Sequence, residues 1–183
     1  MLSIETEKKI DDLLLGIAYG EEKIDSLRQE IYSKYILNPQ YIFNNIDISH
    51  RGVIDEEDII NFLNHYSIQC SPSEAKFIIY FYDNNIDGVI DYVEFLNIII
   101  SDSDYLFKKV SKKKFIKGIQ DNSQVNAESI DAIVSLFANE LDLIRYISEL
   151  IQNIKSSDDF SLQDMFHVIK SYSFITHERY IYI

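Results

Sequence analysis

The chain has 183 residues, 46% of them hydrophobic, and a formal net charge of −13, which allows one large or two small domains with buried cores. The acidity argues against general nucleic-acid binding, and no apolar run approaches membrane-spanning length. A single cysteine, Cys70, excludes an internal disulfide and makes a reducing, cytoplasmic compartment the expectation.

Met1-Leu2-Ser3-Ile4-Glu5 lacks the basic start and apolar core of a signal peptide, and with Leu2 at position two neither a signal peptide nor N-myristoylation is expected. From residue 5 to about 35 the chain reads as helix. Ile10, Leu13, Leu14, Ile17, Ile24, Leu27 and Ile31 recur at three- and four-residue steps, with Glu, Lys and Asp between them. Gly16 and Gly20 weaken its middle, where a bend is expected. The apolar stripe suits packing on the chain's own helices, or else zipping onto a partner.

Two loops follow, thirty-six residues apart, each between expected helices. The first, Asp47 to Asp58 (DISHRGVIDEED), follows a helix opened by Asn38-Pro39. The second, Asp83 to Glu94 (DNNIDGVIDYVE), follows a helix opened by Ser71-Pro72-Ser73-Glu74, with an N-cap, a proline in the first turn and a capping-box glutamate. Phe77, Ile78 and Phe81 give that helix an apolar face, as Phe95, Leu96, Ile98 and Ile99 do for the next one.

The second loop is a complete calcium loop. Asp83, Asn85 and Asp87 at positions one, three and five converge short oxygen side chains on one ion, and Gly88 at position six permits the sharp turn. Val89 at position seven supplies a backbone carbonyl, Asp91 at position nine can act through water, and Glu94 at position twelve reaches with two oxygens. Calcium takes six to eight hard oxygen ligands, which this set suits, and magnesium is the expected competitor.

The first loop keeps Gly52 at position six and Asp55 at position nine, and its Ile54 should face Ile90 in a short antiparallel bridge. Arg51 at position five brings a cation into the ion's coordination shell. Ser49 is a neutral ligand at position three, and Asp58 at position twelve is one methylene short. The expectation is a silent loop that completes the pair, with weak calcium or magnesium binding as the alternative. Two of the five glycines fall at the same loop position and both prolines at helix starts, as an internal repeat requires.

With these residues the chain resembles the EF-hand family. The resemblance implies a helix–loop–helix fold for residues 36–101, with Asp83, Asn85, Asp87, Val89, Asp91 and Glu94 as metal ligands. Residues 21 to 100 also resemble EF-hand proteins of ciliated protists, including axonemal ones.

Beyond Ile100, Ser101-Asp102-Ser103-Asp104 reads as a linker. Lys108, Lys109, Lys112, Lys113, Lys114 and Lys117 follow, a basic cluster that is either a solvated helix face or a contact for an acidic surface such as a microtubule. A long helix is expected from about Ser129 to Ile154, with Phe137, Leu141, Ile144, Ile147, Leu150, Ile151 and Ile154 at near-heptad spacing. Asp158 to Ile169 then looks like a worn copy of the N-terminal half, with Lys170 where the first copy has Asp47 and no room for a loop in Ser171–Phe174.

The expected architecture is all-α: an N-terminal helix over 1–35, an EF-hand pair over 36–101 and a degenerate EF-hand-like half over 102–183. His50, His65, His167 and His177 show no zinc spacing, and neither a phosphate-cradling loop nor a nucleophile elbow is found, so no enzymatic role is expected. Three functional classes remain: a calmodulin-like sensor, a structural or regulatory subunit of a cytoskeletal assembly, and a calcium buffer. Only Met1 and Met165 are methionines, neither in the pair, so an adaptable target groove is disfavoured. A subunit with one fixed protein partner in an axoneme or on microtubules is therefore preferred, and the free sensor is the alternative.

Overall fold

The computed structural model describes residues 2–35, 37–101 and 123–171, with side chains over 127–169 in the last stretch. Among these residues the chain is all-α: α1 (Ile4–Lys34), α2 (Pro39–Ile46), α3 (Glu56–His65), α4 (Pro72–Tyr82), α5 (Tyr92–Ile99), α6 (Ser123–Lys155) and α7 (Leu162–Ser171). None of the described helices is long and apolar enough to cross a membrane. The basic cluster at 108–117 and the span 172–174 lie outside the described residues.

The short helices begin where side chains satisfy their first backbone N–H groups. Asn38 accepts from Tyr41 N–H ahead of Pro39. Asp55 with Asp58, Ser71 with Glu74 and Asp91 with Glu94 form reciprocal capping boxes at the starts of α3, α4 and α5. The buried face of α4 differs from the expected one. Ala75, Ile78, Ile79 and Tyr82 turn inward while Phe77 and Phe81 sit half-buried beside them.

The described chain forms two compact units, one from Met1–Lys23 with Asp142–Ile183, the other from Ile24–Leu141. In the first unit, α1 runs uninterrupted through both glycines, which admit side chains of α6 instead of ending the helix. A methyl group on Gly16 would stand 2.9 Å from Tyr146 Cε1, and one on Gly20 would overlap the Leu143 side chain. Asp159, just before α7, accepts hydrogen bonds from the Thr6 hydroxyl (2.6 Å) and the Ser3 backbone N–H.

In the second unit α3 packs on α4, α2 on α3 and α5, and α4 on α5. Phe43 meets the edges of Tyr92 and Phe95, each at 5.4 Å between ring centres, and Phe62 meets Phe137 of α6 at 6.2 Å. A charged cluster lies among these apolar groups. Arg28 of α1 donates to the Ile98 carbonyl (2.8 Å), the Tyr82 hydroxyl (2.6 Å) and Glu140 Oε1 of α6 (2.9 Å), and both charged side chains are buried.

Candidate metal centre

Both loops share one backbone. Asp47 and Asp83 each donate their N–H to a carbonyl of the preceding helix, Phe43 and Ile79, at 2.8 Å. Positions four and six have positive φ in both: His50 (53°) and Gly52 (81°), Ile86 (63°) and Gly88 (86°). Glycine adopts that conformation freely; a β-branched residue there is an outlier that costs about 1–2 kcal/mol, and Ile86 is 86% exposed besides. At position eight, Ile54 and Ile90 exchange two N–H···O bonds of 2.9 Å in an antiparallel bridge, both side chains buried. The pairing expected from the register of the two glycines is therefore formed.

In the second loop the carboxylates turn toward backbone donors. Asp83 accepts from the N–H groups of Ile86 (2.7 Å), Asp87 (3.2 Å) and Gly88 (2.8 Å). Glu94 is 4% exposed; its Oε1 accepts from Asn84 (2.8 Å) and Asn85 (3.3 Å), and its Oε2 from Asp91 (3.0 Å). Asp91 Oδ1 caps α5 through Val93 (2.7 Å) and Glu94 (2.8 Å), and Asp87 Oδ1 takes the Val89 N–H (3.1 Å). Asn85 is exposed and Val89 half-buried.

The fold thus links both ends of this loop, position twelve to positions two and three. It does not gather three carboxylates around one point: among the described residues no group of three or more His, Cys, Asp or Glu side chains is placed to hold a metal ion. Nor, among those residues, does a basic side chain form an ion pair with Asp83, Asp87, Asp91 or Glu94. Among the described residues the four carboxylates of this short loop are answered by backbone N–H groups, and carboxylate oxygens are the donor type that a hard divalent cation takes. The donor set fits calcium, provided the carboxylates exchange some backbone bonds for the ion.

The first loop is neutralised from within. The Arg51 guanidinium bonds Ser49 Oγ (2.5 Å), Asp55 Oδ2 (2.5 Å) and Asp58 Oδ2 (2.9 Å). Asp47, 2% exposed, accepts from the backbone N–H groups of Arg51 (3.0 Å) and Gly52 (2.7 Å) and from the Ser49 hydroxyl (3.3 Å). Burial by itself would raise the Asp55 pKa, but the Arg51 hydrogen bond, with the Asp58 N–H, holds it below the ordinary value. The hydrogen bond to Asp55 leads the causes that raise the Arg51 pKa.

Arg28, Tyr82 and Glu140 did not stand out in the sequence, yet they meet beside the second loop, Tyr82 being the residue before Asp83. One signal was present. Ile24, Arg28 and Ile31 share a helical face, so a guanidinium interrupts an otherwise apolar stripe. No protein-family model matches the chain, and comparison with curated proteins and with solved structures likewise finds no match.

Proposed function

We propose that residues 36–101 are an EF-hand pair in which the loop from Asp83 to Glu94 binds one calcium ion. The observation that carries this reading is the contrast in charge between two loops of like backbone: the first holds its own Arg51 among its carboxylates, and the second has four carboxylates with no basic side chain paired to them among the described residues. Asp83, Asn85, Asp87 and Glu94 would supply side-chain oxygens, Val89 its carbonyl, and Asp91 an oxygen through water. Magnesium would compete with calcium for the same oxygens.

At the level of the cell, we read the chain as a structural or regulatory subunit of a cytoskeletal assembly, such as a ciliary axoneme or microtubule lattice, with no catalytic role. The packing of unit two favours this over a free sensor. Helix α6 already lies on the loop-bearing helices through Phe62–Phe137 and the hydrogen bond from the Tyr82 hydroxyl to Glu140, so the chain occupies with its own helix a face that a sensor would offer to targets.

Calorimetric calcium titration of the full chain with magnesium present tests the metal site. One calcium per chain is expected, with a dissociation constant of about 10⁻⁷–10⁻⁵ M if the site is regulatory. Asp83→Asn or Glu94→Gln should weaken binding by about a hundredfold or more; unchanged affinity would refute the ligand assignment. Co-sedimentation with microtubules, in calcium and in chelator, tests the partner. A monomeric chain that binds several unrelated amphipathic peptides only with calcium would instead make it a free sensor.

A further inference from the structure

The first loop carries a more specific reading, which rests on both loops being built for a cation. Arg51 touches every side chain that stands where the second loop has a ligand. Its guanidinium bonds positions three, nine and twelve (Ser49, Asp55 and Asp58), and its backbone N–H bonds position one (Asp47). Two of the carboxylates are nearly excluded from water, Asp47 at 2% and Asp58 at 5% exposure. An exposed ion pair of two flexible side chains holds little in place. Here one planar donor group gathers two carboxylates and a hydroxyl from three loop positions, and Asp55 and Asp58 also form the capping box of α3.

We propose that Arg51 is the resident cation of the first loop, a tethered guanidinium that replaces a dissociable metal ion and keeps this loop formed at all calcium concentrations. The adjoining Ile54–Ile90 bridge is then formed before any metal arrives, because one of its two loops is permanently loaded. The second loop binds its ion against a finished partner, so binding is single-site and non-cooperative. Calcium independence of the first loop is thus a built feature of the pair.

The test uses the full chain with the second loop disabled by Glu94→Gln, so that thermal unfolding reads the first loop alone. For Glu94→Gln, the melting temperature in chelator should equal that in millimolar magnesium or calcium. The double variant Glu94→Gln with Arg51→Asp should melt several degrees lower in chelator and recover with added calcium or magnesium, at midpoints of about 10⁻⁴–10⁻³ M. A double variant that melts like Glu94→Gln in chelator, or gains nothing from either ion, overturns the proposal. Should the double variant fail to fold, Arg51→Gln in the native chain replaces it. That change should weaken calcium binding at the second loop by about tenfold, and unchanged affinity overturns the proposal. Failure of the second loop to bind calcium in the native chain would refute the calcium site, while the chelator comparison of the Arg51 variants still reports on the first loop.

Discussion

Asp159 accepts hydrogen bonds from the Thr6 hydroxyl and from the Ser3 backbone N–H, and these hold its pKa down at about 2 against an ordinary 3.8. The folded value lies below the unfolded one, so this contact contributes fully above about pH 3.8. The contribution drains away as pH falls from there through about 2. The Asp159 carboxyl resonance should therefore titrate near pH 2, and Asp159→Asn should be less stable than the native chain at pH 6, with the difference shrinking as pH falls below 3.8 and closing only below pH 2. A midpoint at the ordinary value would mean that the contact is not formed in solution. Residues of this kind mark where sequence reading stops. Asp83 to Glu94 stand out in the sequence because their oxygen side chains are spaced within twelve positions of one loop, and the backbone of that loop, with Gly88 at positive φ and Ile90 in the bridge, follows from the same local spacing. Asp159 lies 153 residues from Thr6, and Arg28 lies 112 from Glu140, and local spacing holds no record of such pairings.

Among the helices, the parts of α1 and α6 that belong to unit two meet in the Arg28–Glu140 pair, whose side chains are 6% and 7% exposed. Burying two charges is costly, and removing one partner strands the other in an apolar setting. Glu140→Leu or Arg28→Met alone should each lower stability by about 3–5 kcal/mol in urea unfolding, and the double change by clearly less than their sum. Additive losses would show that the two residues do not act as a pair. Helix starts were legible where caps announced them, as at Asn38 and Ser71, while the capping of α5 by the loop residue Asp91 emerges only in the structure. The start of α6 was not, because Ser123 to Glu128 carries only Val125 and Ala127 as apolar residues and the hydrophobic period is silent there. The buried face of α4 was also hidden. PSEAKFIIYFY is apolar on nearly every side, so periodicity cannot choose among its faces, and the contact of the Tyr82 hydroxyl with Arg28 and Glu140 belongs to tertiary structure.

For the molecule as a whole, a net charge of −13 means that every bound divalent cation relieves self-repulsion as well as filling a loop. If one loop binds calcium and Arg51 permanently loads the other, native and unfolded chains differ by a single calcium ion. Mass action then fixes how stability responds: above the dissociation constant, each tenfold rise in free calcium should add about 1.4 kcal/mol to the unfolding free energy. Two independent binding loops would add about twice that. Urea unfolding in calcium-buffered solutions spanning several decades measures this slope, and it counts ions without any assumption about where they sit. Monovalent salt provides a control. Raising it from about 0.02 M to 0.5 M shortens the screening length to a few ångströms, so it should weaken calcium affinity and shift the onset of the rise to higher calcium, leaving the slope unchanged. A slope near zero would refute calcium binding to the folded chain. A slope near two ions would show that the first loop opens to metal despite Arg51.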